Sequence, residues 1–592
     1  MEQIESVKKM IDNLRSEDPE LRLSSMRGIH LIAATLGPER TRDELLLYLT
    51  DYLDDNDDVL RVFANALGTM LPEVGGVAYI TSLLNPLEIL CSLDEVTVRD
   101  EIVASLEHIG ENIFRGTSSK VEMADKARME YLNLLERLSQ GTPQCRSIVC
   151  SLIATVYPSV TSSERANLIS MFKALCADEE IMVRRAACVA MGAKLAGILS
   201  PKTVVDLVPV LVSFSKATSD GVRLQVVPTA AAVLKVLPEV HHGSVLGLIK
   251  VLSADNSWRV RYMTADSLGI LAAAMTPPDV VRFAIPIFRA LCQDTEPEIR
   301  ASAVFNMEGM VTACRDLNGK KDILITGTRL ISDESSHVRM SLASAVLKSV
   351  ANVPKELWDT TIIPTCTRLL NDTEADVRLA LVSGFSSIGN TSEARDLAPK
   401  LVPVIIALAS DPKWRLRETV VSQVPSVISA LGQNAEDILD VCIERLTDRV
   451  ATIRDTAAQS CCRLVGENGP TWAMRVLFPR LEPIAKDKNY LHRVSLCHLY
   501  AGLADVAAFD SSTCETAVWP ILVQLRDDPV ANVRLNVCRA VLALHNARKV
   551  SFREAHIILD KLKSDASDDV RELVTQITEN GKVPPNRLKG EA

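Results

Sequence analysis

A single pattern recurs along almost the whole chain: an aliphatic residue stands five positions after an aspartate and is followed at once by an arginine. The segment DTEADVR, which begins at Asp372, is one copy. Successive arginines of the pattern are 37 to 41 residues apart, with one longer step of 47 before Arg146. A period of about 39 residues indicates an array of helical hairpins of the HEAT type and argues against a propeller or a leucine-rich horseshoe. The marker arginines are Arg22, Arg61, Arg99, Arg146, Arg184, Arg223, Arg261, Arg300, Arg339, Arg378, Arg417, Arg454, Arg493, Arg534 and Arg571.

The register predicts an all-α fold, an α-α superhelix of fifteen helical hairpins that forms a curved horseshoe. One hairpin cannot bury both of its faces, so neighbouring hairpins have to stack into a continuous core. We therefore expect one solenoid over residues 1–581 instead of several globular domains, followed by a disordered tail at 582–592. The predicted repeats, numbered 1 to 15 in chain order, are 1–37, 38–76, 77–114, 115–161, 162–200, 201–238, 239–277, 278–316, 317–355, 356–394, 395–433, 434–471, 472–509, 510–549 and 550–581.

Each repeat is predicted to contain two helices joined by a turn. In repeat 10 the residues after the turn are apolar at helical spacing, which places them on one face of the second helix: Val377, Ala380, Leu381, Phe385 and Ile388. In six repeats the first helix carries a proline fourteen residues before the arginine. A proline removes a backbone hydrogen bond and bends a helix, so a shared bend is predicted at Pro209, Pro286, Pro364, Pro403, Pro479 and Pro520.

The repeat aspartate and arginine have a structural explanation. The aspartate lies at the turn into the second helix, where its carboxylate can accept free backbone N–H groups. The arginine, about one turn into that helix, can reach the aspartate of a neighbouring hairpin. Tandem repetition favours this role over catalysis, so we predict a ladder of contacts that includes Asp178, Arg184, Asp255, Arg261, Asp294, Arg300, Asp333, Arg339, Asp372, Arg378, Asp411 and Arg417.

Composition and charge argue against several classes of protein. The net charge is −10 and positive charge is scattered, whereas nucleic-acid-binding proteins usually show a basic stripe. The fourteen cysteines lack zinc-ligand spacing, which predicts free, mostly buried thiols in a reducing compartment. The polar first residues do not resemble a signal peptide, and no apolar stretch approaches the roughly 20 residues of a membrane span. We expect no binding to nucleic acid, no membrane span, and a place in the cytoplasm, with the nucleus as a second location.

The sequence contains none of the local motifs that carry common enzyme chemistry. Nucleotide-binding loops, GxSxG, HExxH and paired zinc ligands are absent. His241 and His242 form the only histidine pair, and their place between two repeats predicts a solvated junction instead of a metal site. No catalytic residue, metal or cofactor is therefore predicted. An enzyme with a cryptic site is the alternative from another functional class.

The turn between the two helices of a repeat is a candidate binding surface. Three positions after the repeat aspartate, most repeats carry a small or polar residue, whereas Trp258, Trp414 and Tyr490 are aromatic. An arginine follows each of the two tryptophans, and exposed aromatics with arginine are typical of interface anchors. We expect a line of such turns to form a docking ridge. The alternative is that each ring folds back onto its own repeat.

These turns also carry a family resemblance. The segments that carry it are the stretch of pattern ERTRxEL from Glu39, VRD from Val98, MVRRAA from Met182, SWRVRYM from Ser257, NYLHR from Asn489 and DPVANVR from Asp528. As an ordered set they resemble the scaffold (A) subunits of serine/threonine protein phosphatase 2A, and the resemblance covers all fifteen repeats in register. It implies a regulatory scaffold that has no activity of its own.

The resemblance also implies partners and binding residues. Turns of the last five repeats would hold the catalytic subunit, which is a metal-dependent phosphatase, at Lys413, Trp414, Arg415, Val450, Ala451, Tyr490, Leu491, His492, Arg493, Val530, Ala531, Asn532 and Arg534. Turns of roughly the first eight or ten repeats would receive variable B-type regulatory subunits at Glu179, Glu180, Ile181, Met182, Asp220, Trp258 and Arg259.

The chain departs from the family pattern in three places. The family usually has a proline where this chain has Ile181 and an aromatic residue where it has Ala451, and repeat 4 diverges most. Contacts at these places carry over least well. A different HEAT scaffold, such as a nuclear transport receptor of the importin-β type, is the alternative, and the acid-rich turn at 54–58 gives it slight support.

Overall fold

The computed structural model of the 592-residue chain describes residues 2–51, 55–115, 121–384, 402–403, 405–431 and 436–580. Within these ranges the regular structure is helical and no β-strand occurs. The chain forms two compact units, Met1–Leu291 and Cys292–Ala592. The all-α class predicted from the sequence is confirmed, and the tail predicted at 582–592 lies outside the described residues.

A helix begins at the turn of each predicted repeat and contains the marker arginine. It begins three residues before that arginine, except in repeat 2, where it begins four residues before Arg61. In the first unit these second helices are Pro19–Arg27, Asp57–Thr69, Val96–Arg115, Pro143–Val156, Ile181–Ala190, Asp220–Leu234 and Trp258–Asp266. In the second unit they are Pro297–Phe305, Ser336–Ser349, Ala375–Ser383, Trp414–Leu431, Ala451–Trp472, Tyr490–Gly502, Ala531–Asn546 and Asp568–Asn580. In repeats 1, 7 and 8 the chain continues, after one residue, into Ile29–Leu36, Leu268–Ala274 and Met307–Ala313.

The first helices run antiparallel to the second ones. Those in the first unit are Glu2–Asn13, Leu47–Asp51, Thr81–Leu90, Val121–Ser139, Ser162–Cys176, Pro201–Ser215, His242–Leu252 and Ile285–Leu291. Those in the second unit are Leu317–Thr328, Ile363–Leu370, Glu436–Arg445, Phe478–Leu481, Trp519–Leu525 and Phe552–Leu562. Repeat 4, where the longer step of the pattern falls, contains the 19-residue helix Val121–Ser139, and the helix before it, Val96–Arg115, has 20 residues.

The repeated proline of the first helix is accompanied by a local change in helical pitch. Turns of π-helix end two residues before the proline in four repeats, because a proline has no N–H to continue the ladder of hydrogen bonds. These turns are Val280–Ala284, Trp358–Ile362, Ala473–Leu477 and Cys514–Val518. Pro209 is different, since it lies inside the α-helix Pro201–Ser215.

Second helices of neighbouring repeats pack against each other within each unit and form its core. In repeat 10, Val377 and Leu381 are fully buried on the predicted face, whereas Phe385 and Ile388 lie outside the described residues. Burial of one such aliphatic side chain contributes about 1.5–3 kcal/mol. All fourteen cysteines are free and buried, as the sequence predicted.

Two observations bear on the chemistry of the chain. In the described part of the chain, no group of histidine, cysteine, aspartate and glutamate is placed to hold a metal ion, and no helix is long and apolar enough to cross a membrane. The prediction of a solvated histidine junction was wrong for one of its two residues. His242 is only 5% exposed, and its Nε2 lies 2.9 Å from the carbonyl oxygen of Leu237. The ring of His242 is therefore packed in the protein core and is not solvated.

Candidate protein-docking turns

In most repeats the turn between the two helices is closed by the repeat aspartate. In repeat 12 the carboxylate of Asp448 accepts a hydrogen bond from the backbone N–H of Val450 at 3.0 Å. Val450 is the residue that caps the second helix, so the bond closes the turn just before the helix. The sequence predicted this role for the aspartate, as an acceptor of free backbone N–H groups at the turn, and the bond confirms it.

The arginine of the previous repeat ties two successive turns together. The guanidinium of Arg417 donates through Nη1 to the carbonyl oxygens of Asp411 and Pro412 in its own turn. Through Nε and Nη2 it donates to both carboxylate oxygens of Asp448, at 3.0 Å each. The two side chains are 5% and 3% exposed, so the pair is almost fully desolvated. One arginine therefore fixes its own turn through Nη1 and the next turn through a bidentate contact with the aspartate there.

An arginine–aspartate ion pair between successive turns recurs in both units, and it is bidentate except in Arg378–Asp411, where Nη2 alone donates. The shortest distance between nitrogen and oxygen lies between 2.6 and 3.0 Å in every pair. The pairs are Arg22–Asp55, Arg146–Asp178 and Arg223–Asp255 in the first unit, and Arg300–Asp333, Arg339–Asp372, Arg378–Asp411, Arg417–Asp448, Arg493–Asp528 and Arg534–Asp565 in the second.

Residues of the ladder also make contacts within their own turns. Arg184 donates to the carbonyl oxygens of Asp178 and Glu179, and the position that would hold the next aspartate is Ala217. The contacts of Arg261 include the carbonyl oxygens of Asp255 and Asn256. The carboxylate of Asp294 accepts the N–H of Glu296, and its carbonyl accepts a bond from Arg300.

The ladder changes partners between repeats 12 and 13. Arg454 donates to the Ser495 hydroxyl at 3.1 Å, and among the described residues no ion pair joins it to Asp487. Asp487 accepts the backbone N–H of Asn489 at 2.8 Å, and the Nδ1 of His492 lies 3.1 Å from its carboxylate. The turn that carries Tyr490 is thus closed by contacts within the turn.

The electrostatics of the ladder favour ionised aspartates. Burial alone would raise the pKa of Asp448, but hydrogen bonds from Arg417 and from the Val450 N–H hold that pKa below its ordinary value of 3.8. For Asp372 and Asp565 the arginine hydrogen bond is the largest cause, and it lowers the pKa of each carboxyl group. The arginine contacts therefore keep these aspartates in their charged form.

The three aromatic residues of the turns are exposed. Trp258 is 49% exposed, Trp414 39% and Tyr490 38%, and each is the first residue of its second helix. The arginine after each tryptophan lies over the indole ring, with distances from its central carbon to the ring centroid of 5.9 Å for Arg259 and 5.1 Å for Arg415. The rings do not fold back into their own repeats, so they are available as anchors for another protein.

The other candidate residues for the catalytic subunit fall into two groups. Lys413, Ala451 and Asn532 are exposed, whereas Val450, Leu491, His492, Val530 and Ala531 are half-buried. Arg493 and Arg534 belong to the ladder, with side chains 9% and 13% exposed, so each is already committed to an aspartate. These two arginines therefore stabilise the turns by ion pairs and are not exposed for contact with a partner.

Three of the seven candidate residues for a regulatory subunit line a groove in the first unit. Glu180, Ile181 and Met182 line a cavity of about 660 Å³ beside the turn of repeat 5. Glu179 is exposed, and Asp220 accepts a hydrogen bond from the Ser257 hydroxyl at 2.9 Å, which connects the turns of repeats 6 and 7.

One side of this groove was not predicted from the sequence. Val189 lines it and is 41% exposed, eight residues after Ile181 on the helix Ile181–Ala190. Positions eight apart lie on the same face of a helix, so the spacing of two aliphatic residues was the available signal. This signal is hard to recognise in the sequence because the same helix also has a buried apolar face.

Comparison with known proteins identifies relatives over part of the chain. The chain matches no family model. It is 39% identical over 225 residues to a probable serine/threonine-protein phosphatase PP2A regulatory subunit of Caenorhabditis elegans, and the match covers 38% of this chain and 36% of that protein. It is 32% identical over 273 residues to the regulatory A subunit of protein phosphatase PP2A of Schizosaccharomyces pombe, covering 45% of each. It is 38% identical over 184 residues to the beta isoform of the human 65 kDa regulatory A subunit of phosphatase 2A, covering 31% of this chain and 29% of the human protein. The matches thus span less than half the length of these relatives.

Solved structures share the fold at low identity. Kap95 in its complex with Nup1 aligns with a TM-score of 0.56 at 14% identity, over 97% of this chain and 72% of that one. The karyopherin Kap121p aligns with a TM-score of 0.53 at 15% identity, over 90% and 56%. Such a likeness shows the fold alone, and it confirms a helical-repeat architecture of the HEAT type. Over the matched segments the chain is similar to the PP2A regulatory subunits named above.

Proposed function

We propose that this chain is a non-catalytic scaffold of a phosphatase 2A holoenzyme. The catalytic subunit would bind the turns of repeats 11 to 14, and a B-type regulatory subunit would bind the turns of repeats 5 to 7. The observation that carries the proposal is the set of exposed aromatic residues at equivalent turns, each fixed by a closed aspartate turn. The names of the relatives support the identity of the partners.

The aromatic turns suit a protein interface for an energetic reason. A tryptophan or tyrosine buries a large area on binding and has only two side-chain torsions to restrict. The ladder has already fixed the backbone around Trp414 through the contact between Arg378 and Asp411. Little further ordering is then needed when a partner binds, which is the condition for an anchor residue to contribute most of its contact energy.

The mechanism is co-localisation. Binding a phosphatase and a substrate-selecting subunit to one chain turns their encounter into an intramolecular event. The chain itself supplies no reacting group, and its contribution is the position of its two sets of turns.

A retention assay with the full chain tests the proposal. The purified chain is immobilised, incubated with a cell lysate, washed, and assayed for bound phosphatase activity. We expect Trp414→Ala and Tyr490→Ala each to lower retained activity at least about tenfold, because truncation of an interface anchor costs about 2 kcal/mol or more. Phe305→Ala is the matched control, since Phe305 is also an exposed aromatic (52%) of the second unit but lies away from the turns.

A second variant separates the two predicted sites. Trp258→Ala should leave retained phosphatase activity unchanged and reduce binding of a purified B-type regulatory subunit. If the unmodified chain retains no phosphatase, the proposed partners are wrong while the fold stands, and the transport-receptor alternative becomes the next to test. If Phe305→Ala loses as much activity as Trp414→Ala, the assay reports general surface adhesion and the docking turns are refuted.

A further inference from the structure

A groove of about 400 Å³ lies between repeats 14 and 15 in the second unit. One wall is formed by residues 545–554, where the helix Ala531–Asn546 ends and the helix Phe552–Leu562 begins. The other wall belongs to the helical segment 511–525. The helix Ala531–Asn546 begins at a docking turn and is 16 residues long, so its far end is about 24 Å from that turn. The groove is therefore separate from the surface proposed to bind the phosphatase.

An uncovered aromatic ring lines this groove. Phe552 is 66% exposed, and the half-buried Trp519 lines the groove with it. Phe552 is not needed to begin its helix, because a capping box between Ser551 and Glu554 already completes the helix start. Val550, which precedes the cap, is buried and occupies the position of a hydrophobic staple. The exposed ring of Phe552 therefore has no role in the local fold and is available to a ligand.

Two arginines near this ring occupy positions that are unfavourable for an arginine. Arg548 lines the groove with a φ of 58° and is the only left-handed non-glycine residue in the described part of the chain, whereas glycine is the usual residue after a helix end of this kind. Arg553 is the second residue of its helix, where a positive charge opposes the helix dipole. Both arginines are exposed, and among the described residues neither forms an ion pair. Residues that disfavour their own local structure in this way are typical of functional sites.

The charge around the ring selects an anionic ligand. The segment 545–556 contains Arg548, Lys549 and Arg553 against one acidic residue, Glu554, in a chain whose net charge is −10. The carboxylate of Glu554 is already committed to the capping box. The only other acidic residue that lines the groove, Glu515, lies on the opposite wall. An anionic ligand therefore has to lie against the wall that carries the arginines.

We propose that this groove binds an acidic segment of a partner protein in which carboxylates flank an aromatic side chain. The carboxylates pair with the guanidinium groups of Arg548 and Arg553, which suit planar, bidentate recognition. The aromatic side chain packs against the open ring of Phe552. A nucleic acid also carries anions and stacking rings, but the net charge of −10 disfavours it. The inference is independent of the proposed phosphatase partners.

Ligand-observed NMR with the full chain tests this proposal, because it detects weak binding of a short peptide. The probe is the peptide GEEFEEG, blocked at both ends, and the comparison is GKKFKKG, which keeps the ring and reverses the charge. We expect the ring signals of the acidic peptide to broaden when the chain is added, and those of the basic peptide to broaden at least about fivefold less. The broadening should fall when NaCl is raised to about 0.3 M, because salt screens exposed ion pairs.

Two variants locate the binding in the groove. Arg548→Gly should fold at least as stably as the unmodified chain, because glycine suits a φ of 58°. It should nevertheless lower the bound fraction of the acidic peptide at least about fivefold, and Phe552→Ala should do the same. Lys563→Ala is the matched control, since Lys563 is an exposed cation at the other end of the same helix and outside the groove. Its binding of the peptide should be unchanged.

Several outcomes would overturn the proposal. It fails if the acidic peptide does not broaden, or if the basic peptide broadens as much. It also fails if Arg548→Gly binds the acidic peptide as well as the unmodified chain, or if Lys563→Ala loses as much binding as Arg548→Gly. Tighter binding of an oligothymidylate than of the acidic peptide would identify a nucleic acid as the occupant and overturn the assignment of a protein partner.

Discussion

Removal of one ladder carboxylate should destabilise two neighbouring repeats at once. Asp448→Ala deletes a side chain that accepts two hydrogen bonds from Arg417 at 3.0 Å, one from Arg445 at 3.3 Å and one from the Val450 N–H. The guanidinium left behind is 5% exposed and has no other carboxylate within reach among its described contacts. It keeps only the carbonyl oxygens of Asp411 and Pro412.

The magnitude follows from that imbalance. Breaking a buried ion pair by removing one partner costs about 3–5 kcal/mol, because an uncompensated charge stays buried. The two remaining carbonyl bonds compensate part of this loss, so we expect about 3 kcal/mol. A surface pair gives the comparison: Lys486 and Glu482 are 62% and 56% exposed, and Glu482→Ala should cost less than about 0.5 kcal/mol.

Native-state hydrogen exchange is the suitable assay, since a long repeat array does not unfold in one step. The free energy of opening should fall for the helices Trp414–Leu431 and Ala451–Trp472 and stay unchanged in the first unit. A double variant, Arg417→Met with Asp448→Leu, should recover at least half of the loss, because both charges are then gone. An effect of Asp448→Ala as small as that of Glu482→Ala would refute the reasoning, and so would a double variant no more stable than the single one.

Three further outcomes follow from the structure. Several ladder carboxyl groups have a pKa below the ordinary 3.8 in the folded chain. The stability they contribute is therefore present above pH 3.8 and is lost as the pH falls through their folded pKa values. Circular dichroism between about pH 6 and 2 should show this loss, and unchanged helicity down to about pH 2 would contradict it. Gly469→Ala should cost about 1–2 kcal/mol, because φ is 81° there and no neighbouring atom is close, whereas Gly247→Ala, mid-helix and equally open, should stabilise by about 0.5–1 kcal/mol in thermal unfolding. Ile181→Pro should fold with unchanged stability, since residue 181 is the first of its helix and Glu180 before it is extended, and binding of a B-type subunit should strengthen if the family proline aids that contact.

Much of the fold could be predicted from the sequence because the same residues recur at the same positions of each repeat. The position of the second helix follows from one arginine, since that side chain must reach both its own turn and the next. The exposure of Trp414 and Tyr490 was also predictable, because a turn that closes on its aspartate leaves the following residue pointing outward. The recurrence of chemistry at one slot was the signal in both cases.

What could not be predicted depends on contacts between distant parts of the chain. The exchange of partners at Arg454 requires the positions of Ser495 and His492, and the pattern Asp–Arg is intact at that place in the sequence. The burial of His242 depends on a helix that begins at Pro277, because Asp279 lies 3.6 Å from its ring.

The ladder also explains why a binding surface can be built from so few residues. An exposed aromatic side chain contributes to binding only if its backbone is ordered before the partner arrives. In repeats 11 and 14 that order comes from the preceding arginines, Arg378 and Arg493, through their pairs with Asp411 and Asp528. In repeat 13 it comes from within the turn, where Asp487 accepts the backbone N–H of Asn489 at 2.8 Å. The residues that define the repeat are therefore the ones that prepare its surface for binding, and a variant that breaks the ladder should weaken partner binding at the next turn even where every anchor residue is intact.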